Sequence, residues 1–196
     1  MAATKKSSIG TGSKSIFGKR VFLRPPQPAD CAEMLALNRR SLKFHRGLVS
    51  PPLTPEEFRS SLDRASRDDS ECFQVCRKSD GAIVGAFNLS QIFLSNFRSA
   101  YLGYYIGAEH TYQGYATEAI QLVLRHAFKK VKLHRVEANI QPGNIASIAL
   151  VRRAGFTQEG YSRRYLKIGG RWRDHERWAI TCEDWKSNLT LQGGSR

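Results

Sequence analysis

Apolar and polar residues recur along this chain with two different periods, which predict two kinds of element. The segment "RVFLR" alternates through Val21 and Leu23, as a half-buried strand does. Across 116–131 the apolar residues are instead three or four positions apart, which is typical of an amphipathic helix. In chain order these signals predict an α+β fold with the arrangement β-α-α-β-β-β-α-β-α-β-β. We therefore expect a mixed central sheet of about seven strands with flanking helices.

Local signals mark the ends of several of these elements. The segment "TPEEF" at 54–58 has the sequence of a capping box and predicts the start of a helix. The triplet at 79–81 ends in a glycine that can take a positive φ, so it predicts a hairpin turn. A further helix is expected to begin near Asn144 and to end at Gly155, and the glycine pair 169–170 joins the last two predicted strands.

Length and composition are those of one globular domain. The chain has 196 residues, of which 41% are hydrophobic and 24% are charged, and it contains no apolar run of bilayer-spanning length. We expect a domain over 17–187, a flexible basic tail over 1–16 and a C-terminal tail over 188–196. The first twenty residues lack the apolar core of a secretory signal, so we predict a cytoplasmic protein.

The cysteines predict neither a disulfide framework nor a metal site. The four are sparse and contain no C-x-x-C pair, so reduced thiols are expected. Cys72 and Cys76 could be combined with His45 as metal ligands, but their spacing does not match a zinc knuckle. We therefore predict that no metal is bound.

The charge balance is strongly basic, since the formal net charge is +14. Lys and Arg are concentrated at 125–135 and at 152–177. This excess predicts an acidic partner such as a ribosome or RNA, and no membrane partner. A solvated basic surface that only improves solubility is the alternative.

The segment "YYIGAEHTYQGYATEA" at 104–119 passes from a predicted strand into a predicted helix. A helix N-terminus offers unpaired N–H groups and partial positive charge, so it can hold a phosphate. Gly114 and Ala116 leave room for one, and Thr117 adds a hydroxyl. An ordinary strand–helix turn is the alternative. The glycine patterns of dinucleotide-binding folds and of P-loops are both absent from the sequence.

The same segment, followed by "RVEANIQPGNIASIALVRRAGF", resembles the acetyl-CoA-binding core of the GNAT superfamily of N-acetyltransferases. The closing "EGYSRRYLKIGGRWRDHERWAITCEDW" and the opening "RVFLRPPQPAD" are similar to its ribosomal-protein-alanine and serine N-acetyltransferase branch. The resemblance covers residues 17–187, with four pieces in the expected order. It implies the GNAT fold, with acetyl-CoA as cosubstrate.

The resemblance also implies where acetyl-CoA lies. Its pantetheine arm is expected between two parted strands, paired with the backbone of 103–108, and its pyrophosphate on the N–H groups of 112–117. The family's usual Arg or Gln at the head of the loop is Thr111 here, and Gln113 is a candidate to compensate. The implied cofactor-binding residues are Tyr105, Ile106, Gly107, Tyr112, Gln113, Gly114, Tyr115, Ala116, Thr117 and Asn144.

Two residues are implied to be catalytic. In the family's N-x-x-S pattern the Asn, here Asn144, contacts the cofactor arm, and the Ser, here Ser147, protonates the leaving thiolate; plain helix capping is the alternative. Glu137 lies where related enzymes often keep a carboxylate that deprotonates the amine through water. A surface pair with Arg135 is the alternative for it. A tyrosine that many members use one turn further along the helix is replaced by Val151.

Other residues near the implied site are weaker candidates. Tyr104 and Tyr105 are expected to be core aromatics of a central strand, and His110 an incidental loop histidine. Trp172 and Asp174 would share one face of a strand and suit a cationic amine. Strand packing and surface ion pairs are the alternative for this pair.

The predicted function is direct transfer of acetyl to the N-terminal α-amine of a ribosomal or other protein. At a pKa of about 7.7–8.0, roughly a tenth of such amines are neutral at pH 7, compared with under about one lysine in a thousand. One alternative acceptor is a small amine, such as an antibiotic or a polyamine, although a chain of charge +14 repels polyamines. The other alternative is a non-enzymatic RNA- or ribosome-binding protein.

Overall fold

The structure is a computed structural model that describes residues 15–193, with side chains described as far as residue 188. Within this range eight strands form one mixed sheet in the order β1-β2-β3-β4-β5-β6-β8-β7. The strands are β1 (Ile16–Phe17), β2 (Val21–Arg24), β3 (Glu71–Arg77), β4 (Ile83–Phe93), β5 (Ser99–Ile106), β6 (Arg135–Ile140), β7 (Thr157–Ile168) and β8 (Arg171–Thr181). The predicted mixed sheet with flanking helices is confirmed, and the strand count exceeds the expected seven by the short β1.

Six α-helices connect and flank the strands in the described part of the chain. They are α1 (Cys31–Arg40), α2 (Leu42–His45), α3 (Pro55–Ala65), α4 (Tyr115–His126), α5 (Ile145–Ala154) and α6 (Cys182–Gly193). A π-helical turn at Ala127–Val131 extends α4. The apolar spacing over 116–131 therefore predicted one helical run correctly, although its last turn is wider than an α-helix.

Two apolar clusters lie on the two faces of the sheet. The larger contains the buried side chains of α4 and α5, and the smaller contains those of α1 and α3. Strand β4 contributes to both, since Val84 and Phe87 belong to the larger cluster and Ile83 and Ala86 to the smaller. This division explains why the first half of β4, residues 83–87, has no polar side chain, because a strand covered on both faces has no polar side.

The predicted ends of several elements are confirmed. Thr54 Oγ1 accepts a hydrogen bond from Glu57 N at 3.2 Å, and Glu57 Oε2 accepts one from Thr54 N at 3.2 Å, so a capping box starts α3. Gly155 ends α5 with a φ of 93°. The turn between β3 and β4 contains Gly81 with a φ of 77°.

The C-terminal helix α6 extends to Gly193 and so includes part of the segment 188–196 that was expected to be a tail. Thr181 and Asp184 cap the start of this helix through two hydrogen bonds. Asp184 N donates to Thr181 Oγ1 at 3.2 Å, and Thr181 Oγ1 donates to Asp184 Oδ2 at 2.6 Å. Trp185 then anchors it, being 3% exposed and 5.5 Å from Phe128 between ring centroids. Of the expected N-terminal tail, residues 1–14 lie outside the described residues, whereas Ile16 pairs with Leu23.

All four cysteines are free thiols. Cys76 is buried in the smaller cluster, and this burial raises its pKa to about 11. His45 does not join Cys72 and Cys76, because it bonds to the backbone of Ile106. Over residues 15–193 no group of three or more His, Cys, Asp or Glu side chains is arranged to hold a metal ion. No helix in that range has the length and apolarity required to cross a membrane.

Candidate active site

The centre of the sheet is split between β5 and β6. These two parallel strands pair only from Ser99 and Arg135 as far as Tyr101 and Glu137. Beyond that point β5 stays paired with β4 up to Ile106, while β6 stays paired with β8. Because each strand follows its other neighbour, a gap opens between them, as the family resemblance implied.

The direction of the backbone groups shows which residues of β5 face this gap. Gly107 N donates to Val84 O at 2.9 Å, so its amide faces β4. A Cβ on Gly85 would lie 2.3 Å from Tyr105 O, so that carbonyl also faces β4. Since successive residues of a strand point their polar groups to opposite sides, those of Tyr104 and Ile106 face the gap.

Gly107 was predicted to bind the cofactor, and the structure places it between β4 and α1. Its N–H is already used by β4, and it does not line the cleft described below. A Cβ at this position would lie 2.3 Å from Leu37 Cδ1. Glycine is therefore required here because α1 packs closely against the end of β5.

The imidazole of His45, from the short helix α2, closes one side of the gap. Its Nε2 is 3.0 Å from Ile106 O and donates to it, which leaves Nδ1 as an acceptor. Nδ1 is buried and has no partner, and burial lowers the pKa of this histidine. His45 is therefore neutral near pH 7. No sequence signal predicted this contact, because 61 residues separate His45 from Ile106.

The loop between β5 and α4 forms an uncapped helix start. Gly114 occupies the cap position with a φ of 81°, and no described side chain caps α4. Tyr112 has a φ of 58° and is 94% exposed. Glu118 N bonds to Gly114 O at 3.1 Å, so the N–H groups of 115–117 are those that the helix leaves unpaired. They give the loop the anion-binding character predicted from the sequence.

Arg20, from the turn between β1 and β2, brings a cation to this loop. Arg20 Nη1 donates to Gln113 O at 2.7 Å, and its guanidinium lies 4.8 Å from the ring centroid of Tyr115. Gln113 itself was the expected substitute for the family's loop cation. Its side chain instead donates to Glu109 O at 2.9 Å, so it is engaged within the loop.

The gap and the loop open into one cleft of about 510 Å³. Predicted site residues that line it are Tyr105, Ile106, Tyr112, Gly114, Tyr115, Ala116, Thr117, Asn144 and Ser147. No sequence signal predicted the opposite wall, which consists of Phe44, His45, Leu48 and Val49. Arg153 of α5 adds a cation to the lining. Gln113 and Glu137, like Gly107, do not belong to the lining.

Two hydroxyl groups meet where β5 faces α5. Ser147 Oγ donates to Tyr104 Oη at 2.7 Å, and Ser147 N donates to Asn144 Oδ1 at 3.2 Å. Asn144 thus caps α5 and also lines the cleft. The ring of Tyr104 stacks on Phe87 at 5.0 Å, and burial raises the pKa of Tyr104 to about 12. Tyr104 therefore stays protonated at neutral pH. The position of the family's usual tyrosine is filled by fully buried Val151.

Glu137, the predicted general base, lies at the last paired position before the gap. Its Oε1 accepts a hydrogen bond from Arg135 Nε at 2.9 Å, and Arg135 also bonds to Glu159. Arg135 and Glu137 are two residues apart in β6, so their side chains share one face of the strand. This arrangement is the ion pair that was the alternative to a catalytic role.

Asp174 and Trp172 do not meet at the cleft. Asp174 accepts hydrogen bonds from Tyr161 Oη and Arg164 N, each at 2.7 Å, which also lower its pKa. These bonds hold the irregular part of β7, where Arg164 has a φ of 48°. Trp172 is 61% exposed. His110, by contrast, does line the cleft, and burial lowers its pKa.

Comparison with known proteins gives concordant results. Residues 20–157 match the acetyltransferase (GNAT) domain family. The chain is 33% identical over 175 residues to the probable N-acetyltransferase YjcK of Bacillus subtilis, covering 85% of this chain and 97% of that protein. It is 40% identical over 103 residues to the [ribosomal protein uS5]-alanine N-acetyltransferase of Escherichia coli, covering 53% of each. The structure of Mycobacterium smegmatis RimJ in complex with CoA-disulfide matches with a TM-score of 0.79 and 29% identity, covering 88% of this chain and 89% of that one.

Proposed function

Because this chain belongs to the GNAT family of acetyltransferases and is an acetyl-CoA-dependent N-acetyltransferase, we propose that its acceptor is the N-terminal α-amine of a protein, in particular a ribosomal protein. The observation that carries the acyl transfer is the hydroxyl pair Ser147–Tyr104, 2.7 Å apart, in a cleft that ends at the uncapped start of α4. The choice of acceptor is supported by the relative that acetylates an alanine of ribosomal protein uS5.

The residues present fit acetyl-CoA along the whole cleft. The polar backbone groups of Tyr104 and the N–H of Ile106 face the gap and suit an extended amide-bearing arm, whereas Ile106 O is bonded to His45. The N–H groups of 115–117 suit a pyrophosphate, because a helix start favours negative charge. Arg20 is bonded to this loop and would add positive charge beside the phosphates. Together these groups would place the thioester near Ser147.

Acetyl-CoA supplies an acetyl thioester, so the protein has to promote attack by a neutral amine and protonation of the departing sulfur. Ser147 Oγ would donate its proton to that sulfur. Tyr104 remains protonated, with its pKa raised to about 12, so its hydroxyl can donate a hydrogen bond that stabilises the Ser147 oxygen until that oxygen regains a proton from water. The two hydroxyls would thus exchange donor and acceptor roles within an existing hydrogen bond.

Two groups could take the proton that the amine loses. The carboxylate of Glu137 would first have to leave Arg135. Nδ1 of His45 is already an unpaired acceptor, and His45 lines the cleft. Neither group has to be a strong base, because an α-amine is neutral in roughly a tenth of molecules at pH 7. A lysine side chain is neutral in under about one molecule in a thousand at pH 7, so a weak base would promote its acetylation far less.

The proposal is tested with peptides that differ only in the acceptor amine. Release of coenzyme A thiol is followed with a peptide that begins with Ala, one that begins with Ser, and the Ala peptide with its N-terminus blocked and an internal Lys retained. Spermidine serves as the small-amine control. We expect turnover with a free N-terminus and none with the blocked peptide. Turnover with spermidine alone would show that the enzyme acts on a small amine.

A further inference from the structure

The end of the sheet remote from the cleft carries exposed aromatic and basic side chains side by side. The turn between β4 and β5 exposes Phe93 by 56% and Phe97 by 67%, and their ring centroids are 6.4 Å apart in an edge-to-face contact. Five residues of β5 lie between this turn and Tyr104 at the cleft, which corresponds to about 16 Å. The catalytic residues therefore do not explain why these rings are exposed.

Cations continue this surface toward the end of α4. Arg98 Nη1 donates to Lys132 O at 3.0 Å, which joins the β4–β5 turn to the segment before β6. Lys129 lies 5.7 Å from the ring centroid of Trp185. We call this region the aromatic–basic surface; its members are Phe93, Phe97, Arg98, Lys129, Lys130 and Lys132, all of them exposed.

The positive charge of this surface is not neutralised locally. Among residues 15–188, no ion pair joins an acid to Arg98, Lys129, Lys130 or Lys132. Two acids lie near this surface: Glu183 is paired with His134 at 3.1 Å, and the backbone carbonyl of Asp69 accepts a hydrogen bond from Ile92 N. The backbone of the turn is also held in an unusual conformation, with φ values of 52° at Gln91 and 40° at Arg98.

We propose that the aromatic–basic surface binds single-stranded RNA. Exposed rings offer stacking faces to unpaired bases, and unneutralised Lys and Arg beside them attract the phosphate backbone, which is the combination that single-strand binding requires. The net charge of +14 favours such a polyanion. The choice of RNA among polyanions rests on the proposed ribosomal acceptor, because the surface of a ribosome is largely RNA.

A membrane would also attract aromatic and basic residues, but the turn is poorly built to enter one. Ser95 and Asn96 lie between Phe93 and Phe97 and are exposed. Both polar side chains would have to lose water before the two rings could reach the apolar layer, which is unfavourable without new hydrogen bonds. Stacking on an RNA base leaves those groups in water.

Binding is measured by fluorescence anisotropy with a labelled twelve-nucleotide single-stranded RNA, using the full chain at several salt concentrations. Replacing both rings in a Phe93→Ala, Phe97→Ala variant should weaken binding by roughly ten-fold per ring. A Lys130→Gln, Lys132→Gln variant should lower the slope of log affinity against log salt by about 0.7 for each phosphate that the protein no longer neutralises.

Matched controls are Phe17→Ala, which removes another exposed ring, and a Lys167→Gln, Arg171→Gln variant, which removes two charges from the β7–β8 hairpin. These should retain the affinity and slope of the parent protein. Equal losses in variants and controls, or binding to phosphatidylserine vesicles without binding to the RNA, would overturn the proposal.

Peptide acetylation is measured on the same variants and should be unchanged, because none of these residues lies at the cleft. RNA binding without peptide acetylation would contradict the proposed acceptor alone. Acetylation with no RNA binding would contradict the RNA surface alone. Thermal unfolding of each variant checks that the fold is retained.

Discussion

The hydroxyl of Tyr104 lies 2.7 Å from Ser147 Oγ, although 43 residues separate the two in the chain. Tyr104 comes from β5 and Ser147 from the first turn of α5, so the pair links two walls of the cleft. Its position matters because a tyrosine reaches the serine from a strand, whereas many family members supply one from the helix. A tyrosine hydroxyl thus reaches the start of this helix from a different element.

If both hydroxyls transfer the proton, removing either should slow turnover without weakening cosubstrate binding. Ser147→Ala should lower kcat by roughly 100-fold, as expected for loss of a positioned proton donor. Tyr104→Phe keeps the ring on Phe87 and should lower kcat by less, since Ser147 remains. The double variant should resemble Ser147→Ala, because the tyrosine acts through the serine. Additive losses would show that the residues act independently.

Replacement of the candidate bases should separate their roles. Glu137→Gln should leave kcat/KM within about two-fold if the carboxylate serves only Arg135, whereas His45→Gln should lower it roughly ten-fold or more if Nδ1 accepts the proton. The dependence of kcat/KM on pH should also lose its acidic limb in His45→Gln. A large loss of kcat/KM in Glu137→Gln with little loss in His45→Gln would instead identify Glu137 as the base.

Arg20 should contribute to cosubstrate affinity. Arg20→Ala is expected to raise the Kd of coenzyme A by roughly ten-fold, because it removes a charged donor beside the phosphates. Gln113→Ala is the matched control on the loop itself and should change Kd little. The Kd of both variants is measured by calorimetric titration. If Arg20 contacts the 3′-phosphate, the increase in Kd caused by Arg20→Ala should be smaller for dephospho-coenzyme A, which lacks that phosphate. An unchanged Kd would show that Arg20 only stabilises the loop.

Three histidines should make stability depend on pH. Burial lowers the pKa of His45, His110 and His175 from the ordinary value of 6.5. Below pH 6.5 the unfolded chain binds protons that the folded protein does not, so the free energy of unfolding falls as pH falls toward the lowered values. Urea unfolding between pH 7.5 and pH 5 should show this loss. His45→Gln should reduce the slope of the free energy of unfolding against pH by an amount that corresponds to at most one bound proton.

Features encoded by neighbouring residues could be predicted from the sequence. The loop 104–119 combines a strand, small residues and a helix within one short stretch, and the N-x-x-S pattern places Asn144 and Ser147 one turn apart. Both stretches line the cleft. The capping box of α3 was equally local. In these cases residues that are close in the sequence are also close in the structure.

Features that depend on distant segments could not be predicted. His45 and Arg20 reach the site from α2 and from the β1–β2 turn, and nothing near either residue indicates its partner. Sequence analysis left two interpretations of Glu137, a base or a partner of Arg135; the structure shows the ion pair, and a catalytic role stays a prediction. Helix α6 was missed because Thr181 and Asp184 cap it at the end of a strand-like run.

The gap between β5 and β6 creates two unpaired strand edges in the interior of the sheet. Unpaired edges invite pairing with other chains, and proteins usually cover them. His45 covers one such group by bonding to Ile106 O. The pantetheine arm of acetyl-CoA would cover others, acting as a temporary extra strand. The resistance of this enzyme to aggregation should therefore follow the supply of its cosubstrate, so that a shortage of acetyl groups would reduce the amount of intact enzyme as well as its turnover.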